Sequence, residues 1–307
     1  MALLTGEPSW PAPAKLNLML RVLGRRPDGY HRLQTVFQLI DRQDLVFIEP
    51  RRDGRIRRLS VLPGVAPQED LVVRAARLLQ ERTGCRAGAD IRVEKRLPMG
   101  GGLGGGSSDA ATTLLALNRL WGTGLGEREL MDLGLRLGAD VPLFVQGRAA
   151  WGEGVGEELT PLDLERPWYL ILSPACQVST GAVFEAEELT RNSPQIKIAD
   201  FLSGDDRNDC LPVVRQRYPL VADALDWLAS VGRPRLTGTG ACVFTELASL
   251  GEAQAACATA PARFGAFVAR GLNRSPMLDR LGRERGNRAA GAPGLPLPQG
   301  REGAGVT

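Results

Sequence analysis

The chain has 307 residues and a formal net charge of +3, with 24% of the residues charged and 43% hydrophobic. This length predicts two domains with a sizeable core, and the thinly spread charge excludes the basic surface of a nucleic-acid-binding protein. No apolar run approaches the roughly 20 residues of a membrane span, and a secretory signal is not expected. Five cysteines stand far apart without a CxxC pair, which favours reduced thiols in the cytoplasm. Nothing indicates an obligate protein partner.

The first third of the chain predicts strands around one helix. Residues 15–26 alternate apolar and polar side chains and end in the turn sequence RPDG, so they predict a strand. Residues 33–50 continue as strand. Asp70 is placed to cap a helix with one apolar face, which Gly84 would end. A further strand over 89–98 leads directly into a glycine-rich loop.

Helices and strands then mix without a regular βαβ alternation, which favours an α+β fold. We expect helices over 107–121, 127–137, 182–189, 220–232 and 251–260, strands over 168–174 and 263–272, and a strand-loop-strand unit over 234–247. The pattern resets near Gly152. We therefore expect an N-terminal domain over 1–152 and a C-terminal domain over 153–281. The Gly-, Ala-, Pro- and Arg-rich residues 282–307 predict a disordered tail.

The loop PMGGGLGGGSS is the most informative stretch, because it joins a strand to a helix and holds six glycines. A helix N-terminus presents unpaired N–H groups and a positive dipole end, and both favour an anion. Glycines let a phosphate approach the main chain. A flexible linker is the alternative, but linkers are seldom wedged between a strand and a helix without a polar spacer. The predicted phosphate-binding residues are Pro98, Met99, Gly100, Gly101, Gly102, Leu103, Gly104, Gly105, Gly106, Ser107 and Ser108.

Three better-known phosphate sites do not fit this loop. Residues 100–105 match GxGxxG, but no acidic residue of a second strand follows about 20 residues later, which argues against a dinucleotide fold. No lysine follows the loop, so it is not a Walker motif. The lysine, HRD and DFG set of the protein kinases is also absent.

The stretch PMGGGLGGGSSDAA closely resembles the phosphate loop of the GHMP kinases, named for galactokinase, homoserine kinase, mevalonate kinase and phosphomevalonate kinase. Two further motifs of that superfamily follow its order, PAKLNLMLRVLGRRPDGYH near the start and LTGTGACVF late in the chain. The similarity runs from about Pro11 to Pro276. It implies an S5-like N-terminal domain, a ferredoxin-like C-terminal domain, and ATP and substrate in the cleft between them.

The wordings GRRPDGYH, GADVPLF and RNDCLPVV are similar to one branch of these kinases. That branch uses ATP, with Mg²⁺, to phosphorylate a tertiary C2 hydroxyl on a small molecule with a cytidine diphosphate group, in isoprenoid precursor biosynthesis. The resemblance implies that Asp140 is the catalytic base and Lys15 its partner. Taken alone, Asp140 could be a helix N-cap and Lys15 a solvated lysine.

The resemblance also implies a substrate site. Tyr30 and Phe184 would stack on the cytosine ring, His31 would hydrogen-bond the edge of the base, and Asn17 would contact the polar substrate. The other substrate-site candidates are Thr180, Thr239 and Gly240. No carboxylate identifies itself as a ligand of Mg²⁺, and Ser108 is a possible one.

Three other functions stay open at this point. The aromatic residues Tyr30 and Phe184 argue against a homoserine-kinase-like enzyme, because its substrate has no base to stack on. The presence of both Lys15 and Asp140 argues against a non-catalytic nucleotide-binding protein. A dinucleotide-dependent oxidoreductase lacks the acidic residue for the ribose.

Overall fold

A computed structural model describes residues 9–289. The ten strands of this part are β1 (Trp10–Arg25), β2 (His31–Arg51), β3 (Ile56–Arg58), β4 (Gly88–Glu94), β5 (Ala150–Glu153), β6 (Glu158–Pro161), β7 (Trp168–Pro174), β8 (Arg235–Leu236), β9 (Val243–Leu247) and β10 (Phe264–Leu272). Its ten helices are α1 (Leu71–Thr83), α2 (Gly105–Trp121), α3 (Glu127–Leu135), α4 (Val141–Gln146), α5 (Thr180–Glu185), α6 (Ile198–Leu202), α7 (Leu211–Arg217), α8 (Pro219–Leu228), α9 (Leu250–Thr259) and α10 (Pro276–Ala289). None of these helices is both long and apolar enough to cross a membrane.

One continuous sheet runs through both halves of the chain, in the order β3-β4-β2-β10-β7-β9-β8. Strands β1 and β5 pair with β2, and β6 pairs with β5. The two halves meet at β10, which pairs along its length with β7 but with β2 only through Gly271 and Leu272. The cleft between the halves is thus bounded by strands of a single sheet.

Strand β1 begins five residues earlier than the alternation of residues 15–26 predicts, because it takes in Pro11 and Pro13. Proline has no N–H to donate to a ladder, so it is confined to edges and ends of sheets. Within the described residues β1 forms a ladder only with β2, and its proline positions face Leu45 and Gln43 there. Pro11 and Pro13 are therefore part of an edge strand and do not lie in a loop before it.

The apolar side chains of the first half pack where α1, α2 and α3 cover one face of the sheet. Trp121 belongs to this core, and Trp151 lies in the cluster between the halves, so both tryptophans are core residues. The Asp70 side chain accepts a hydrogen bond from Val72 N, and Gly84 ends α1 with φ +67°, both as predicted.

Two helix predictions need correction. The short helix expected over 182–189 lies earlier, at Thr180–Glu185, because the Ser179 side chain caps its start by accepting from Ala182 N. The predicted tail from 282 begins inside α10, which continues to Ala289 because Met277 and Leu281 anchor its start on the first core. The remaining predicted tail, 290–307, lies outside the described residues.

Candidate active site

The glycine-rich loop forms a bridge between the two halves of the protein. Lys15 N in β1 donates to Leu103 O at 3.0 Å, and Cys242 N donates to Gly101 O at 3.1 Å. Gly104 stands at the N-cap of α2 with φ +72°, a conformation that glycine adopts without steric cost. The loop is therefore held by backbone bonds from β1 in the first half and from Cys242, just before β9, in the second, which leaves its opposite side free to meet a ligand.

Gly102 shows why one of these positions must lack a side chain. Its φ is +75°, and a Cβ there would lie 2.5 Å from Thr237 O and 3.0 Å from Gly240 O. The close approach brings the glycine-rich loop against the turn 237–240, which belongs to the stretch LTGTGACVF. Gly102 therefore allows the two loops to touch, in addition to the close approach of a ligand that the sequence predicts.

Lys15 and Asp140 lie beside each other although 125 residues separate them in the chain. The Lys15 ammonium is 3.4 Å from Asp140 Oδ2, with the lysine side chain buried and that of the aspartate 34% exposed. Asp140 occupies the N-cap position of α4, but its side chain makes no capping bond. The alternatives of an N-cap aspartate and a solvated lysine therefore do not describe this pair.

A chain of buried hydrogen bonds holds the side chain of Lys15 in place. Its ammonium donates to Asn17 Oδ1 at 2.5 Å, and Asn17 Nδ2 donates to Thr35 Oγ1 at 2.8 Å. The Asn17 backbone N–H donates to Thr237 Oγ1 at 2.9 Å, which ties β1 to the turn of the second half. Buried polar groups that are fully paired in this way have a unique arrangement, so the ammonium is held at one place.

Two cavities meet at this point. The first, about 460 Å³, contains Lys15 and Asp140 in its wall. The second, about 450 Å³, is lined by the whole glycine-rich loop from Pro98 to Ser107. Gly102 and Ser107 belong to both walls. The loop and the Lys15–Asp140 pair thus face each other across a shared boundary.

The remaining predicted substrate residues line the first cavity, with one exception. Asn17, Tyr30, His31, Thr180, Phe184 and Thr239 are in its wall, whereas Gly240 is buried behind it. Thr180 and Thr239 share a hydrogen bond of 3.0 Å between their hydroxyl oxygens. Tyr30 is 64% exposed at the mouth of the cavity, and the Phe184 ring stacks on His31 rather than on Tyr30, with centroids 5.0 Å apart.

A charged cluster in the second cavity escaped sequence reasoning. Lys95 contacts Asp44 and Asp109, the latter at 2.8 Å, and Asp44 Oδ1 also accepts from the backbone N–H groups of Arg96 and Leu97. Burial raises the pKa of Asp109 to about 7, against the opposing attraction of Lys95. The cluster therefore carries little net charge beside the glycine-rich loop. The only feature of the sequence that indicates this cluster is Lys95, which lies between a strand and the glycine-rich loop.

Asn208, in the motif RNDCLPVV, is a further residue that the sequence did not assign. Its side-chain amide donates to Leu236 O and Gly238 O, each at 2.9 Å, and its Oδ1 accepts from Cys210 N. The two carbonyls bracket Thr237, whose hydroxyl holds Asn17. Asn208 therefore shapes the turn that lies over Lys15.

We expect Asn208→Ala to reduce kcat about tenfold and to lower the free energy of unfolding by about 1–3 kcal/mol, since two buried carbonyls lose their donor. Asn118→Ala is the matched control, because its amide also donates to a loop carbonyl, that of Leu125, far from both cavities. Steady-state kinetics and urea unfolding of the two variants check the expectation. Equal kinetic losses in both would leave Asn208 with a stabilising role only.

Comparison with known proteins gives a consistent result. The family model "GHMP kinases N terminal domain" matches residues 70–148, and "GHMP kinases C terminal" matches residues 187–266. The 4-diphosphocytidyl-2-C-methyl-D-erythritol kinase of Nitrosococcus oceani is 58% identical over 272 residues, covering 89% of this chain and 97% of the relative. The kinase of the same description from Halorhodospira halophila is 56% identical over 271 residues, covering 87% and 94%.

Solved structures agree with these relatives. The crystal structure of a 4-(cytidine 5'-diphospho)-2C-methyl-D-erythritol kinase superposes with a TM-score of 0.75 at 32% identity, covering 86% of this chain and 99% of that one. A homoserine kinase from Cytophaga hutchinsonii superposes with a TM-score of 0.61 at 16% identity over 90% and 98% of the two chains, so it shares the fold. The α+β prediction is confirmed. The chain belongs to the GHMP kinases, and within them to the family of 4-diphosphocytidyl-2-C-methyl-D-erythritol kinases.

Proposed function

We propose that the protein transfers the γ-phosphoryl group of ATP to the C2 hydroxyl of 4-diphosphocytidyl-2-C-methyl-D-erythritol, giving the 2-phosphate and ADP in the non-mevalonate route to isoprenoid precursors. One observation carries the proposal. The Lys15–Asp140 pair lies in the first cavity, where its wall meets the cavity of the glycine-rich loop. A hydroxyl bound in the first cavity and a polyphosphate bound in the second would meet at this boundary.

Each residue then has a chemical task. The C2 oxygen bonds to the γ-phosphorus while the bond from that phosphorus to the β–γ bridging oxygen breaks, and ADP leaves. Asp140 takes the proton of the hydroxyl. Lys15, held by Asn17, stabilises the negative charge of the group in transfer. Most of the rate enhancement of phosphoryl transfer comes from such positioning and charge stabilisation.

The residues around the second cavity suit a polyphosphate with its metal ion. The loop glycines leave the main chain accessible. The predicted phosphate-binding residue Ser108 does not line the cavity itself: its hydroxyl is buried behind the wall, between the lining residues Ser107 and Asp109, and has no hydrogen-bond partner among the described residues. No group of three or more His, Cys, Asp or Glu side chains in residues 9–289 could hold a metal ion. We therefore propose that Mg²⁺ is held by the phosphates, water and at most one or two protein oxygens, and that it neutralises phosphate charge.

The direct test is release of ADP by the purified protein with Mg²⁺-ATP and one of three alcohols. We expect turnover with 4-diphosphocytidyl-2-C-methyl-D-erythritol and none with homoserine or mevalonate, since a base-stacking site has no use for these. Turnover with one of the other alcohols would refute the assigned substrate but keep the kinase. ATP binding without turnover of any of them would favour a non-catalytic nucleotide-binding protein.

Tyr30→Ala is expected to raise the KM for the cytidyl substrate by about 10- to 100-fold, because stacking of an aromatic ring on a base contributes about 1–3 kcal/mol. The KM for ATP should stay the same. Tyr30 is exposed at the cavity mouth, so the unfolding midpoint should also be unchanged. A parallel loss of stability and of affinity for both substrates would show that Tyr30 is structural.

We further propose that the enzyme works in the cytoplasm on small molecules alone. All five cysteines carry free thiols, which suits a reducing compartment.

A further inference from the structure

Arg191 belongs to none of the motifs in the sequence, yet it contacts two residues in the wall of the first cavity, His31 and Phe184. Its Nη2 donates to Phe184 O at 2.9 Å and to Ala186 O at 2.6 Å, and its Nη1 donates to Leu189 O at 3.2 Å. These carbonyls lie at and beyond the C-terminal end of α5, where helical carbonyls lack partners and a positive charge is favourable. Arg191 thus fixes the segment that carries the Phe184 ring.

The fourth contact of Arg191 reaches the only histidine of the chain. Its Nε donates to His31 Nε2 at 3.3 Å, so that nitrogen uses its lone pair and carries no hydrogen. A neutral imidazole bound in this way has its hydrogen on Nδ1. The His31 ring is buried and stacks on Phe184 with an interplanar angle of 23°. One guanidinium therefore holds both rings of the stack.

The charges around His31 agree with a neutral ring. Burial lowers the pKa of His31 below its usual value of 6.5, and the positive charges of Arg191 and Arg25 lower it further. Arg25 pairs with His31 across β1 and β2 and lines the same cavity. Glu185 of α5 lines the cavity as well. A second hydrogen on His31 would lie on Nε2, directly against the guanidinium.

We infer that Arg191 is a positioning residue for base recognition. It holds His31 as the neutral tautomer with hydrogen on Nδ1, stacked on Phe184, so that the ring offers a hydrogen-bond donor of fixed position to a ligand in the first cavity. The inference rests on the proposed function for its ligand. Cytosine accepts a hydrogen bond at N3, where uracil carries a hydrogen, whereas O2 accepts in both bases, so a fixed donor directed at N3 favours the cytidyl substrate.

Because the chain has a single histidine, ¹⁵N NMR of the imidazole reports on His31 without assignment. We expect hydrogen on Nδ1 and a pKa below 6.5 in the parent protein, without substrate. Arg191→Gln should raise that pKa and populate both tautomers. It should also raise the KM for the cytidyl substrate about tenfold, with kcat and the KM for ATP kept. Arg217→Gln is the matched control, because Arg217 pairs with Glu188 in the same region and makes no contact with His31.

The inference is overturned if the parent protein carries its imidazole hydrogen on Nε2, or if Arg191→Gln leaves both the tautomer and the pKa unchanged. These readouts need no substrate, so they stand apart from the kinase assay, whose failure would refute only the proposed function. If Arg191→Gln does not fold, Arg191→Lys replaces it. Lysine keeps the charge without the guanidinium fork, so mixed tautomers and a raised KM are expected, and parent-like values would refute the role of Arg191.

Discussion

Asp140→Asn is expected to lower kcat about 10²- to 10⁴-fold while ATP binding is unchanged. The amide has the shape of the carboxylate but cannot take the hydroxyl proton, and general-base catalysis contributes a factor of this size. Asp140 lines the first cavity and not that of the glycine-rich loop, so the nucleotide loses no contact. Lys15 keeps its hydrogen bond to Asn17 in the variant.

The measurement is single-turnover phosphoryl transfer together with nucleotide binding by calorimetry. Asp226→Asn is the matched control, because Asp226 forms only an exposed ion pair with Arg215, remote from both cavities. Unchanged turnover in Asp140→Asn would remove Asp140 from the role of base. Loss of ATP binding would instead mean that the ion pair with Lys15 shapes the loop.

Among glycine-to-alanine substitutions in the loop, we expect Gly102→Ala to cause the largest loss of stability and activity. A left-handed alanine costs about 1–2 kcal/mol, and overlap with Thr237 O and Gly240 O adds about 1–3 kcal/mol. We expect the free energy of unfolding to fall by about 2–5 kcal/mol. Separation of the loop from the turn by an ångström should also cost roughly 100-fold in kcat.

Gly100→Ala isolates the effect of the close contact, because Gly100 has φ +71° but nothing within 4 Å of a Cβ. Its expected loss is the backbone cost alone, about 1–2 kcal/mol. Urea unfolding of the two variants measures the difference. Equal losses would show that the contact between the loop and the turn 237–240 relaxes without cost.

The extent to which the sequence predicts this molecule depends on how local each signal is. The cap of Asp70, the stop at Gly84 and the strand-to-helix loop at 98–108 are visible because a few adjacent residues determine them. Strand β3, with three residues, has no periodicity to detect. The start of α5 is set by a single capping serine, Ser179, which the spacing of apolar residues does not reveal.

The site shows the same division. The glycine-rich loop follows from physical chemistry, but the pairing of Lys15 with Asp140 entered only through family resemblance, since no local pattern joins residues 125 positions apart. Arg191 and Asn208 act mainly on backbone carbonyls, which every residue possesses. The sequence therefore does not indicate which residues Arg191 and Asn208 contact. Their roles depend on the fold and could be found only from it.

The place of β10 in the sheet has a consequence for synthesis on the ribosome. Residues 264–272 form the strand between β7 and β2, and its contacts with β2 join positions about 230 residues apart. Closure of so long a loop is entropically costly and slow relative to local pairing. The first half can pair β1 with β2 while the rest of the chain is still being made. We therefore expect the cleft, and with it a working enzyme, to form only after the strand at 264–272 has left the ribosome.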